Sequence, residues 1–320
     1  FMIENQIILS DQIEGYPHPK LTKTLFGHET QEKEFIDCYK SGKLHHGWLI
    51  TGARGIGKAT LAWRLARFIL TQPIKSCYEN SLFGETNKQD HTELDDKSKE
   101  SIETRILAES EPRLSVTRRS FDEKKKKFRS NIRVDEIRRL NSFFSLSVSD
   151  GGSRVAIIDC VDDLNINAAN ALLKILEEPP KETYFLLISH NPESLLETLR
   201  SRCRELRLAN LSENNLLSAL KQINLNLPEK DKEIYSLLAS GSVGNSIRLL
   251  KHDGANIYNS ILTFLKELPN FNGFELEKFV STFEGAKNRD QLELLIELLN
   301  IAIARISKSG VLGANFTNQA

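Results

Sequence analysis

Residues 52–58 read Gly-Ala-Arg-Gly-Ile-Gly-Lys, between a short apolar run at 47–51 and a longer amphipathic stretch. The apolar run suits a buried strand, and Leu61 and Leu65 begin a helical spacing of apolar residues after the glycines. Glycines let the backbone turn tightly, and the N-terminus of a following helix attracts an anion. The stretch therefore predicts a phosphate-binding loop between a strand and a helix. Its predicted ligands are Gly52, Gly55, Gly57 and Lys58.

Two residues that a working ATPase of this architecture needs are replaced. Ala59 stands where a Ser or Thr hydroxyl binds Mg²⁺, and Thr60 comes one residue late, about 100° around a helix. Farther along, an apolar strand ends in Asp159, where an acid holds Mg²⁺ through water, but Cys160 follows in place of a general base. The sequence predicts that ATP or ADP binds, that Thr60 is a poor Mg²⁺ ligand, and that hydrolysis is slow or absent.

The composition of the chain and the spacing of its apolar residues and cysteines argue against several other functions. Lys+Arg and Asp+Glu both number 43, so no global charge favours nucleic acid. The chain has no run of 18 apolar residues and its first residues are too polar for a secretory signal, which predicts a cytoplasmic protein without a membrane span. The cysteines lie far apart without a Cys-x-x-Cys pair, so we expect no zinc or other metal site, and His45, His46 and His91 read as surface residues. The cysteines are Cys38, Cys77, Cys160 and Cys203.

The alternation of strands and helices predicts an α/β fold with a parallel sheet. Further buried strands are expected at 154–159 and 183–189, and helices at 29–39, 135–146 and 168–178. Asp162 and Asp163 are expected to cap a helix. After residue 208 the pattern is helical. The predicted domains are an α/β domain over 1–208, a small helical domain over 209–252 and a second helical domain over 253–320.

An insertion at about 73–133 interrupts the α/β pattern. Residues 73–112 are polar and acidic, and we expect part of them to be mobile. The following residues are basic, and β-like pieces at 114–117 and 128–134 flank a run of lysines, which predicts a hairpin with a solvated tip. The tip is either an exposed charged turn or a contact for DNA or a partner. Its lysines are Lys124, Lys125, Lys126 and Lys127.

Four segments together resemble the AAA+ clamp-loader subunits of bacterial DNA polymerase III. They are Gly52–Lys58, Val155–Asp159, Asn170–Pro180 and Leu199–Cys203. The resemblance runs from about residue 25 to 250, and it implies an AAA+ P-loop core, a helical lid and a C-terminal helical collar that joins a ring.

The resemblance also implies roles for individual residues. Arg202 occupies the position of an arginine finger, which reaches into the ATP site of a neighbouring subunit, where a planar, charged guanidinium can bind phosphate as a fork. Ser189–Asn191 falls where the family has a sensor of the γ-phosphate, although these residues are atypical. Arg248 stands at the basic position of a second sensor.

The family contains motor subunits that hydrolyse ATP and a stator whose own site is degenerate while its arginine finger is kept. Ala59, Cys160 and Arg202 together favour the stator. The implied partners are the gamma/tau and delta subunits, the sliding clamp, and primed DNA through the assembled complex. Two alternatives stay open: a divergent motor subunit with its own ATPase activity, and a non-enzymatic DNA-binding module that uses the lysine hairpin.

Overall fold

The computed structural model describes residues 9–22, 24–72, 92–145, 152–225, 227, 232–266, 273, 277 and 289–311. The chain divides into two compact units, Phe1–Asn210 and Leu211–Ala320. The predicted three-domain division at residues 208 and 252 stays a prediction.

The first unit is built on a sheet of five parallel strands, as predicted. Nearly every residue of the inner strands is buried, and most are apolar, which is typical of a sheet covered on both faces. A separate two-stranded hairpin lies in the insertion. The sheet contains β1 (Gly47–Thr51), β2 (Leu114–Arg118), β5 (Arg154–Asp159), β6 (Thr183–Ile188) and β7 (Arg204–Arg207). Their spatial order is β2-β5-β6-β1-β7. The hairpin strands are β3 (Phe121–Asp122) and β4 (Lys127–Phe128).

Helices cover both faces of the sheet. One core lies under the first three helices and includes Trp48, Ile50 and Ile106, while a second core on the opposite face includes Leu49 and Leu172. Successive residues of β1 thus enter opposite cores, as the strand period of two requires. The helices are α1 (Glu29–Lys40), α2 (Lys58–Thr71), α3 (Thr92–Leu107), α4 (Val134–Ser145), α5 (Ile166–Glu177) and the short α6 (Glu197–Arg200).

The predicted strands and helices outside the insertion are confirmed within one or two residues. Inside the insertion, residues 92–107 form the unpredicted helix α3, whose Ile106 is fully buried. The hairpin and the strand at 114–117 both exist, but this strand pairs with β5 at the edge of the main sheet and not within the hairpin. The second piece, predicted over 128–134, is a strand only at Phe128, and Val134 begins α4. The acidic residues 73–91 lie outside the described part of the chain.

The second unit is helical in its described residues. Its helices share one apolar core that contains Leu216, Tyr235, Ile261 and Leu298. The side chain of Ser242 caps one of these helices by accepting a hydrogen bond from the Asn245 N–H. The helices are α7 (Glu213–Gln222), α8 (Lys232–Ala239), α9 (Val243–Lys251), α10 (Gly254–Lys266) and α11 (Arg289–Val311). Among the described residues of both units, no helix combines the length and apolarity needed to cross a membrane.

Candidate nucleotide-binding site

The phosphate loop lies between β1 and α2, where the sequence predicts it. Gly52, Gly55 and Gly57 have φ angles of 138°, 77° and 109°, values that residues with a side chain rarely adopt. A Cβ atom at Gly52 would lie 2.6 Å from the carbonyl oxygen of Leu208, which follows β7. Position 52 therefore requires glycine both for its conformation and for the close approach of another backbone segment.

Lys58 is buried at the start of α2, with a relative exposure of 3%. Its Nζ donates hydrogen bonds to the carbonyl oxygens of Gly52 at 2.6 Å and Ala53 at 2.5 Å. Burial lowers the pKa of Lys58 to about 8, against the opposing effect of nearby groups that include Asp159. The side chain is still mainly protonated at neutral pH, so it offers the loop a cation that suits phosphate.

The residues predicted to surround Mg²⁺ offer few ligands for a cation. Ala59 packs against the first core, and Thr60 is half-buried in the first turn of α2. Asp159 ends β5 near Lys58, as predicted, but burial and the carboxylate of Asp11 raise the pKa of Asp159 to about 7. A carboxyl group with this pKa is about half protonated at neutral pH and attracts Mg²⁺ less than an ordinary aspartate does.

Asp162 connects the end of β5 to the end of β6. Its carboxylate accepts hydrogen bonds from the Ser189 hydroxyl at 2.8 Å, from the His190 N–H at 2.6 Å and from the Asn191 N–H at 3.3 Å. Burial opposes ionisation, but a hydrogen bond from the Cys160 thiol and these three bonds hold the pKa of Asp162 below its ordinary value.

The expectation that Asp162 and Asp163 cap a helix is wrong, because each acid has another partner. Asp162 binds the segment after β6, and Asp163 pairs with Arg119 at 3.2 Å. The cap of α5 is Asn165, whose side chain accepts a hydrogen bond from the Ala168 N–H at 2.8 Å.

Cys160 is 5% exposed, and its thiol donates a hydrogen bond to Asp162 at 2.6 Å. Burial and the neighbouring carboxylate raise the pKa of the Cys160 thiol, so it stays protonated and cannot act as a general base. The fold also brings His190 beside these two residues: one ligand atom from each of Cys160, Asp162 and His190 lies within 4.8 Å of the others. Sequence spacing did not reveal this cluster, because its members follow two different strands.

The other histidines that the sequence singled out have different surroundings. His45 and His46 are half-buried rather than on the surface, and their rings stack at 4.3 Å. His46 bonds to the Leu176 carbonyl oxygen at 3.1 Å, and His91 lies outside the described residues. His28, which the sequence did not point to, is 1% exposed and donates through Nε2 to the Ile56 carbonyl oxygen at 2.8 Å, so it supports the phosphate loop.

Arg202 lies on the segment between α6 and β7. Its guanidinium pairs with Glu177 at 2.7 Å and donates to the Thr198 carbonyl oxygen at 2.9 Å, and its side chain is 34% exposed. Cys203 packs against the second core, and burial raises its pKa to about 12, which agrees with a packed rather than a reactive thiol.

Arg202 and the phosphate loop lie at opposite ends of β1. A Cβ atom at Gly47, the first residue of β1, would lie 3.2 Å from the Arg202 carbonyl oxygen, whereas the loop begins after Thr51, the last residue. Four strand steps of about 3.3 Å give a separation of about 13 Å along the sheet. The chain's own fold therefore places Arg202 away from its own phosphate loop.

Two further predicted groups lie elsewhere. Arg248 lies in the second unit on α9, where it pairs with Glu297 of α11 at 2.9 Å. The lysines 124–127 form the exposed turn of the β3–β4 hairpin, in which Asp122 accepts hydrogen bonds from the Lys124 and Lys125 N–H groups.

Comparison with protein families shows which family this chain belongs to. The family model described as "DNA polymerase III, delta subunit" matches residues 27–212, more than half of the chain, from the residues before α1 through β7. The chain belongs to this family. It is therefore a clamp-loader family member, as its four segments implied, and its core is a parallel-sheet α/β unit with a phosphate loop after β1.

Curated relatives of this clamp-loader chain carry two different subunit names. A DNA polymerase III subunit gamma from Buchnera aphidicola subsp. Schizaphis graminum is 29% identical over 84% of this chain and 69% of the relative. A subunit delta' from Buchnera aphidicola subsp. Baizongia pistaciae is 27% identical over 82% and 73%. The Escherichia coli K12 subunit delta' is 30% identical over 69% and 59%. The similarity fits a clamp-loader subunit without separating the gamma type from the delta' type.

Proposed function

We propose that this clamp-loader subunit is of the delta' type, a stator that supplies Arg202 to the ATP site of a neighbouring motor subunit. The observation that carries the proposal is the position of Arg202 at the amino end of β1, about 13 Å of strand away from the chain's own loop. A partly exposed guanidinium at that edge can contact a phosphate only when another molecule brings it. The partners are gamma/tau and delta subunits, which together load the sliding clamp onto primed DNA in the cytoplasm.

The chain's own pocket is proposed to bind ATP or ADP without turning it over. Lys58 and the glycine loop supply the phosphate contacts, and Asp159 and Arg248 complete the expected ligand set. Ala59 lacks the hydroxyl for Mg²⁺, and Cys160 is a buried, protonated thiol where a base is needed. Binding is therefore separated from hydrolysis in this subunit.

The purified chain is expected to bind ATP and to show no turnover above that of Lys58→Ala. Removing the ammonium should weaken nucleotide binding by about tenfold to 100-fold, the range for a hydrogen bond to a charged group. A fluorescent nucleotide titration and a steady-state phosphate-release assay measure the two quantities. Lys43→Ala, an exposed lysine of the same unit, is the matched control. Steady turnover that disappears in Lys58→Ala would establish the motor-subunit alternative instead.

The lysine hairpin supports a second candidate function, contact with DNA phosphates. Lys124, Lys125, Lys126 and Lys127 are all exposed on one short turn, held by the packing of Phe121 on Phe128 at 5.3 Å between ring centroids. Such a turn contacts the backbone of DNA without reading its sequence.

Replacing the four hairpin lysines by glutamine is expected to weaken DNA binding and to flatten its salt dependence. The slope of log affinity against log salt should fall by roughly 0.9 for each DNA phosphate that the variant no longer neutralises. Fluorescence anisotropy with primed DNA at several salt concentrations measures it. The matched control replaces four other exposed lysines of the same unit, Lys33, Lys40, Lys43 and Lys181. Equal weakening in both variants, or none in the hairpin variant, would exclude this function.

A further inference from the structure

Three metal-binding side chains meet at the carboxyl ends of β5 and β6. Cys160 follows β5, Asp162 lies two residues later, and His190 follows β6. One ligand atom from each lies within 4.8 Å of the others. We infer that Cys160, Asp162 and His190 form a Zn²⁺ site with three protein ligands and a fourth position open to solvent or to a phosphate oxygen. This departs from the expectation of no zinc, which rested on spacing along the chain alone.

The chemical types of the three ligands favour Zn²⁺. A thiolate and an imidazole suit Zn²⁺, whereas Mg²⁺ and Ca²⁺ prefer oxygen ligands only. When the ion binds, the S–H bond of Cys160 breaks, an S–Zn bond forms, and the proton leaves to solvent. The negative charges of the thiolate and of Asp162 then balance the two positive charges of the ion, while His190 binds as a neutral ring. Three protein ligands and one exchangeable position is the arrangement of zinc sites that stay open to a ligand.

The geometry requires only a small adjustment. Neighbouring ligand atoms in a tetrahedral site with bonds of about 2.1 Å are about 3.4 Å apart. The Cys160 sulfur and Asp162 oxygen lie 2.6 Å apart and would separate by about 0.8 Å to bind a common ion, and the full cluster fits within 4.8 Å. His190 is exposed, so its ring can rotate toward the other two.

Asp162 is already held in place by groups around it. The Ser189 hydroxyl and the His190 and Asn191 N–H groups donate to its carboxylate. Outer hydrogen bonds of this kind fix the orientation of metal-binding carboxylates. Because His190 both donates its backbone N–H to Asp162 and carries the imidazole, the ligand that follows β6 is tied to the ligand that follows β5 independently of the ion.

The cluster lies beside the phosphate loop. Asp162 is close enough to Lys58 to stabilise its ammonium electrostatically. A Zn²⁺ ion here would lie near the region where Ala59 lacks a hydroxyl for Mg²⁺, with an open position for water or a phosphate oxygen. The inference concerns the ion alone and does not require the proposed stator function.

The test is metal binding by the full chain after treatment with a chelator. Competition with a chromophoric zinc indicator should show one equivalent of bound Zn²⁺. Co²⁺ in its place should give a thiolate-to-metal charge-transfer band in the near ultraviolet. Cys160→Ser is expected to abolish that band and to weaken Zn²⁺ binding by at least about 100-fold, beyond the loss typical of outer-shell changes. His190→Ala, at an exposed position, should weaken binding strongly with the fold retained by circular dichroism.

Controls separate this site from other thiols. Cys38→Ser, Cys77→Ser and Cys203→Ser should each keep both the stoichiometry and the cobalt band. The inference is overturned if the wild-type chain takes up no equivalent of Zn²⁺. It is also overturned if Cys160→Ser and His190→Ala both bind the ion as tightly as the wild-type chain does.

Discussion

Arg202→Ala is expected to leave the clamp loader assembled and to slow ATP hydrolysis at the site that receives this residue by about 10³-fold or more, the range for removal of an arginine finger. The guanidinium is 34% exposed at the amino end of the sheet, away from the chain's own phosphate loop. Its polar contacts with the described residues are one surface ion pair and one bond to a carbonyl oxygen, which together contribute little to stability. The measurement is single-turnover ATP hydrolysis by the reconstituted complex with clamp and primed DNA.

Two further variants make the test specific. Arg200→Ala removes an exposed arginine from the same motif and should leave stimulated hydrolysis unchanged. Arg202→Lys keeps the charge but lacks the planar fork, so it should stay close to Arg202→Ala in rate. Normal stimulated hydrolysis in Arg202→Ala, or an equal reduction in Arg200→Ala, would contradict the proposed role.

Gly52→Ala is expected to lower the free energy of unfolding of the first unit by about 3 kcal/mol, the upper range for a residue held in a rarely populated conformation. Residue 52 has a φ of 138°, and its new Cβ would lie 2.6 Å from the Leu208 carbonyl oxygen and 2.7 Å from the Ile56 side chain. The backbone oxygen cannot move away without shifting the chain after β7. Chemical denaturation followed by circular dichroism measures the change.

Gly15→Ala separates the effect of a positive φ from the effect of the close contact with Leu208. Gly15 also has a positive φ, of 86°, but an added Cβ there would meet no atom within 4 Å. This control should cost only about 1 kcal/mol, from backbone conformation alone. Equal destabilisation at the two positions would show that the contact with Leu208 is not the cause. A stable Gly52→Ala protein with normal nucleotide binding would show that the loop tolerates a side chain.

The sequence predicted the sheet and the phosphate loop because both depend on local patterns. Continuous apolar runs produce buried parallel strands, and the glycine spacing specifies the turn before α2. Helix α3 was missed because its residues are mostly polar and charged, with few apolar residues such as the buried Ile106 to mark a helical period. The edge strand β2 was assigned to the hairpin because no local signal distinguishes a distant partner strand, here β5, from an adjacent one.

The candidate site shows the same difference between residues marked by a local pattern and residues defined by distant contacts. Lys58, Asp159 and Arg202 could be proposed from the sequence because each belongs to a short motif with a fixed place relative to a strand. The roles of Asp162 and His28 were not found, because each depends on a contact with a residue far away along the chain, Ser189 for Asp162 and Ile56 for His28. The order of the strands in the folded sheet brings such residues together, and a single sequence does not reveal that order.

The two carbonyl bonds of Lys58 make the loop's own backbone a competitor of the nucleotide. In the proposed nucleotide site, a phosphate would have to displace the Gly52 and Ala53 oxygens that now accept hydrogen bonds from the Lys58 ammonium. The free energy of this exchange is close to zero only when the nucleotide offers at least as many hydrogen-bond acceptors as the backbone oxygens that it displaces. A triphosphate presents oxygens on both its β- and γ-groups to this lysine, whereas a diphosphate presents fewer. If the loop binds nucleotide as proposed, we expect these resting contacts to favour ATP over ADP before any chemistry takes place.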